Sequence, residues 1–276
     1  MKEVAYYNRQ FVDINDPVIP IQERGHQFGD GVYEVVRVYD GKPFLLDEHL
    51  VRLKKSAEAI ELTLPYSFEQ MKGIIEEGLR LSGIENAEVY FQITRGISPR
   101  QHHYPEVPAV FSMTVRNARK ISDENKRDGI SVVILDDVRW ANCFIKSLNL
   151  LPNIMAKHKA MANGHGEAIF VKDGIITEGS SSNLFVVKDG VIHTHPANKA
   201  ILHGITRAQV ISLAEKRGIP VKEEAFDVNF FLGADEAFIT STSVEMLAIH
   251  TINEDTKLSV ERPVYRALAE DFTKLR

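Results

Sequence analysis

The chain has 276 residues, 44% hydrophobic and 26% charged, which supports one or two globular domains with an ordinary core. A net charge of −5 with no Lys/Arg stripe argues against nucleic acid as a partner. The opening "MKEVAYYNRQFVDIND" lacks a signal-peptide core, no stretch is apolar enough to span a bilayer, and the single Cys143 excludes an internal disulfide; a cytoplasmic protein is expected.

In chain order, "GVYEVVRVYDGKPFLL" reads as a hairpin turning at Asp40-Gly41. Asp47 is placed to cap a helix whose apolar residues Leu50, Leu53, Ala57 and Ile60 share one face. A second helix starts at Ser67, with Gln70 completing a capping box, and stops at Gly83. "AEVYFQITRG" and "AVFSMTV" read as strands. The polar stretch 116–129, "RNARKISDENKRDG", is expected to link a smaller N-terminal α/β domain (1–115) to a larger C-terminal domain (130–276). The second part opens with the strand "ISVVILDDV". A helix with Pro152 in its first turn follows and ends near Gly164. Two strand–turn–strand units turning at Lys-Asp-Gly come next, then a helix over about 206–218 and a last helix over 259–275. "GDGVYE" has Glu34 where a dinucleotide fingerprint needs its third glycine, and no Walker loop is present.

The chemistry starts from "ANCFIKSLNLLPN". Lys146 stands among apolar residues, where it either snorkels to water or serves as a nucleophile able to form a Schiff base with an aldehyde. Glu178 in "IITEGSSSNLF" either ends a solvated strand or holds a proton on a heteroaromatic nitrogen, beside small residues that let a flat ring approach. Gly204, Ile205 and Thr206 lead into a helix and offer either an ordinary N-cap at Thr206 or an anion site. Ser241, Thr242 and Ser243 either turn the chain or donate to phosphate. Arg52 lies on the flank of its helix, as a solvated arginine or a bidentate phosphate ligand. His193 and His195 alternate without a third ligand, so no metal is expected. An amine, an acid for a ring nitrogen and donors for a phosphate are together what pyridoxal 5′-phosphate (PLP) requires.

The segments Glu23 to Glu34, Ile145 to Leu151, Glu178 to Asn183 and His203 to Arg207 resemble, in order, those of the fold type IV PLP enzymes, the branched-chain/D-amino-acid aminotransferase group. Within it, "TRGISPRQHHYP" is similar to the loop of the D-amino-acid aminotransferases, with Arg100 and His102 matching its Arg-x-His pair and Tyr33 the accompanying tyrosine.

The resemblance implies a two-domain α/β (α+β) fold with a barrel-like sheet in the larger domain. It implies a catalytic Lys146 joined to PLP, Glu178 on the ring nitrogen, and Leu202 behind the ring. Arg52, Ile205, Thr206 and Thr242 would hold the phosphate. Tyr33, Arg100 and His102 would bind the substrate carboxylate, the last two reaching across a homodimer. The implied reaction moves the amino group of a D-amino acid such as D-alanine to 2-oxoglutarate, giving pyruvate and D-glutamate. The alternatives on the same scaffold are an aminodeoxychorismate lyase and an (R)-amine transaminase.

Overall fold

The computed structural model describes residues 2–276, which divide into two compact units. One holds the residues up to Arg119 together with Ile145–Asn149; the other holds Lys120–Phe144 and Leu150–Arg276. Ile145–Asn149 falls inside the span 130–276 and yet belongs with the first unit, because its main chain pairs with a strand there.

The first unit runs β1 (Val4–Tyr7), β2 (Gln10–Val12), α1 (Arg24–Phe28), β3 (Gly31–Tyr39), β4 (Lys42–Pro43), α2 (Leu46–Ala59), α3 (Phe68–Ser82), β5 (Ala87–Thr94) and β6 (Val110–Asn117). Its strands form one antiparallel sheet in the order β2-β1-β6-β5-β3-β4. Along β3, Val32, Glu34, Val36 and Val38 are buried on one face, while Tyr33, Val35 and Arg37 are only half-buried on the other. Asp40 and Gly41 both have positive φ, 46° and 77°, as a tight hairpin turn needs, so the expected hairpin forms with a second strand of only two residues.

α2 buries Leu50, Leu53 and Ala57, but also His49, Arg52 and Ser56. Arg52 is therefore part of the buried face and not of a solvated flank. Asp47 does not cap this helix: the cap is Leu45 at φ 55°, without a side-chain bond, and Asp47 lies in the first turn, where its charge suits the helix dipole. α3 has the full Ser67/Gln70 capping box and ends at Gly83 with φ 62°, as its sequence predicts. Met71, Ile75 and Leu79 of α3 are buried, as are Val89, Phe91 and Ile93 of β5; each such side chain contributes roughly 1.5–3 kcal/mol.

The second unit runs α4 (Asp123–Asp128), β7 (Ile130–Asp136), α5 (Leu151–Ala162), β8 (Glu167–Lys172), β9 (Ile175–Gly179), β10 (Asn183–Lys188) and β11 (Val191–Thr194). It continues with α6 (Ile205–Lys216), β12 (Val221–Glu223), α7 (Val228–Leu232), β13 (Glu236–Ser241), β14 (Glu245–Ile252), β15 (Thr256–Lys257) and α8 (Pro263–Thr273). α4, capped by Ser122, occupies part of the polar stretch expected to link the two domains. Both Lys-Asp-Gly turns have positive φ at Asp173, Gly174, Asp189 and Gly190 and close antiparallel pairs.

Nine strands make one mixed sheet, ordered β12-β11-β10-β13-β14-β7-β8-β9 with β15 on β14. The connection between β9 and β10 shows that this sheet curls. In a flat sheet these strands would lie five spacings apart, about 24 Å at roughly 4.8 Å each. Yet only Ser180–Ser182 join Gly179 to Asn183, a reach of at most about 14 Å. The sheet must therefore bend until β9 approaches β10, which is the expected barrel-like form.

Candidate functional site

In the first unit the segment Ile145–Asn149 lies along the edge of β3. Tyr33 N–H donates to the Lys146 carbonyl (3.0 Å), Leu148 N–H donates to that of Gly31 (3.1 Å), and Val32 bridges Ser147. A glycine is required opposite, because a Cβ on Gly31 would lie 2.5 Å from the Ile93 carbonyl oxygen and 2.9 Å from Leu148 Cδ1. Lys146 N–H donates to Ser56 Oγ on α2 (3.1 Å); the residue is half-buried and its Nζ sits 4.2 Å from the centre of the Tyr33 ring. Tyr33 stacks on Tyr90 at 5.5 Å, so the amine faces an aromatic platform. It neither packs inertly in the core nor lies free in water.

Below that platform α2 meets β3 through charge. Glu34, fully buried, accepts from Arg52 Nε and a terminal guanidinium nitrogen (both 2.7 Å) and lies 2.7 Å from His49 Nδ1. Burial works to raise the Glu34 carboxyl, but the Arg52 guanidinium and His49 outweigh it and hold it at about 2. Burial depresses His49 against the pull of Glu34. Arg100 and His102 are exposed on the loop after β5, both beside Phe28: the Arg100 guanidinium is 4.4 Å from the ring centre and the His102 ring 5.8 Å.

In the second unit Glu178 ends β9 almost fully buried. It accepts from Arg139 (2.6 Å), from Asn183 Nδ2 (3.0 Å) and from Leu202 N–H (3.1 Å). Burial pushes its carboxyl up to about 7 in spite of Arg139 and those donors. Arg139 also forks onto Asp137 (2.9 and 2.7 Å), which accepts in turn from Thr177 Oγ1 (3.1 Å). Burial alone would lower the Arg139 pKa, but the two carboxylates raise it, so it stays charged. Asn183 Nδ2 donates to the Leu202 carbonyl (2.8 Å), which brings Glu178, Asn183 and Leu202 together.

Two residues on, Gly204 caps α6 without a side-chain bond, so Ile205 and Thr206 open the helix and Thr206 is not its cap. A Cβ at Gly204 would meet Asn183 Oδ1 at 2.1 Å, so again only glycine fits. Thr242 stands in the β13–β14 turn, where Ser241 Oγ accepts from Val244 N–H (3.2 Å). Asn183 pairs with Thr240 in register, which puts Thr242 at the same end of the sheet as Asn183 and Gly204. His193 packs edge-on against Phe230 and His195 Nδ1 lies 3.0 Å from the Pro196 carbonyl oxygen. Among the described residues no group of three His, Cys, Asp or Glu could hold a metal ion, and no helix is long and apolar enough to cross a membrane.

Sequence reasoning missed Arg139, Asp137, Glu34 and His49. The readable signals were charged residues within "DDVRW" at a strand end and polar residues at helical spacing on the α2 stripe.

Comparison with known proteins gives this arrangement its relatives. Residues 31–252 match the family described as amino-transferase class IV. The D-alanine aminotransferase of Staphylococcus haemolyticus is 41% identical over 98% of this chain and 96% of its own length. The branched-chain aminotransferase from Thermoproteus uzoniensis, solved with norvaline, superposes with a TM-score of 0.89 at 27% identity, covering 98% of this chain and 93% of that one. The T.th. branched-chain amino acid aminotransferase, solved with pyridoxamine 5′-phosphate, reaches 0.86 at 26% identity over 99% and 95% of the two chains. With the match spanning most of its length, this chain belongs to the class IV aminotransferase family.

Proposed function

We propose that the chain transfers the amino group of D-alanine to 2-oxoglutarate on PLP, giving pyruvate and D-glutamate. The observation that carries this reading is the 41% identity to a D-alanine aminotransferase over nearly the whole of both chains. The residues present also fit the cofactor: an amine on an aromatic face, a buried carboxyl near 7, and a helix start with no side-chain cap.

When bound, PLP supplies an aldehyde for the amine and an electron-poor ring that accepts electrons as the substrate Cα loses its proton. The chain's own groups do the rest. Lys146 Nζ would hold the cofactor through its aldehyde and would serve as the base for the proton at the substrate Cα. Glu178, oriented by Arg139, Asn183 and the Leu202 N–H, would pair with the ring nitrogen and keep a proton there. Arg52, the Ile205 and Thr206 N–H groups and Thr242 would hold the phosphate, and Leu202 would support the ring. Arg100 and His102 hold the α-carboxylate beside the partner subunit's Tyr33, so the working unit is a homodimer. The single cysteine suits a cytoplasmic setting.

Steady-state rates with D-alanine, L-alanine and a simple amine as donors to 2-oxoglutarate test the reading. D-alanine is expected to be preferred. Equal rates for both alanines, or a preference for the simple amine, overturn it in favour of another chemistry on this scaffold.

A further inference from the structure

Around the loop that bears Arg100 and His102, one carboxylate joins two buried guanidinium groups. Asp30, between α1 and β3, accepts from Arg24 Nε (2.8 Å) and from Arg95 Nε (3.0 and 3.1 Å). Arg24 and Arg95 are 2% and 5% exposed, so neither is an ordinary surface arginine. Each spends its remaining reach on main chain. Arg95 donates to the Ile60 and Glu61 carbonyls at the end of α2 (2.7 and 2.9 Å) and lies 3.5 Å from the Tyr104 ring centre. Arg24 donates to the carbonyl of Gln101 (2.7 Å), the residue between Arg100 and His102.

The same short helix supplies a ring. The Arg24 guanidinium lies 4.7 Å, and that of Arg100 4.4 Å, from the Phe28 ring centre, with His102 also against it. The main chain ties α1 to the loop as well, through Arg24 N–H to the Gly96 carbonyl (2.9 Å) and Ser98 N–H to that of Gln22 (3.1 Å). An exposed arginine has many rotamers to lose on binding, and stacking on a fixed ring removes part of that cost beforehand.

We propose that Arg24 and Phe28 of α1, anchored through Asp30, are positioning residues that preset Arg100 and His102 for the substrate carboxylate and so determine the selectivity for carboxylate-bearing donors. This rests on reading Arg100 and His102 as the carboxylate ligands. Neither Arg24 nor Phe28 need touch substrate. Arg24 holds the main chain between the two ligands, and Phe28 holds their side chains.

The experiment uses the holoenzyme with propionate, a carboxylate that has no amine, as competitive inhibitor against D-alanine. Phe28→Leu keeps the bulk and removes the aromatic face, Arg24→Lys keeps the charge on Asp30 and loses the Gln101 contact, and Phe28→Tyr restores the ring. Phe28→Leu and Arg24→Lys are expected to raise the propionate Ki and the D-alanine KM by about fivefold, the worth of a cation–π contact, with PLP affinity unchanged. Phe28→Tyr is expected to behave as the native protein. An unchanged Ki in both of the first two variants, or a fall in kcat and PLP affinity that Phe28→Tyr shares, overturns the proposal. Arg100→Ala runs alongside. If it too leaves Ki unchanged, the carboxylate reading itself fails; if it alone raises Ki, only the positioning role fails.

Discussion

A carboxyl shut away from water keeps its proton to higher pH, and Glu178 is in that position. Its folded value of about 7 lies above the ordinary 4.5, so between those limits the folded chain holds a proton that the unfolded chain has lost. The contribution to stability is therefore present below pH 4.5 and is lost as pH rises through about 7. Calorimetric Tm of the cofactor-free protein across that window should show this component, and Glu178→Gln should lack it. An identical pH profile in the two proteins would contradict the assignment. Glu34 behaves oppositely: held at about 2 by Arg52 and His49, it contributes above pH 4.5 and loses that contribution only as pH falls towards 2. For Lys146, borohydride reduction of the holoenzyme followed by peptide mapping should place the pyridoxyl group on that side chain. A label on any other lysine would remove the basis of the reading.

Between strands and helices, two glycines show opposite consequences of the same change. Gly31 lies where β3 is flanked by β5 and by Ile145–Asn149, and an added Cβ would press on backbone at 2.5 Å. Gly31→Ala should cost more than about 1 kcal/mol, read from the urea midpoint, and should lower transaminase turnover, because the main chain carrying Lys146 must shift. Gly73 is exposed in the middle of α3, and an added methyl there would meet nothing within 4 Å. Gly73→Ala should raise stability by about 1 kcal/mol and leave turnover alone. Should both substitutions shift the midpoint in the same direction, this account of β3 is wrong. The capping box of α3 and the Asp-Gly turns were legible because each depends on residues two to four apart. The cap of α2 was not, since Leu45 adopts φ 55° for reasons its neighbours do not announce.

For the assembled protein, the proposed homodimer predicts a light-scattering mass twice the 31.1 kDa of one chain, with mixtures of Lys146→Ala and Arg100→Ala subunits turning over low concentrations of D-alanine faster than either variant does alone. A monomer with full activity would refute the shared site. Composition, helix periodicity and turn chemistry were enough to read most of the elements, and to single out Lys146, Glu178 and the start of α6 as candidates, because those signals act over a few residues. The chain order alone could not reveal that the segment bearing Lys146 would leave its own half to line β3. Nor could it show that Arg139 would fork between Asp137 and Glu178, or that Asp30 would bind an arginine 65 residues away. Those partners meet only when the sheets close and water is excluded, and it is that exclusion which makes a buried charge choose the nearest opposite one.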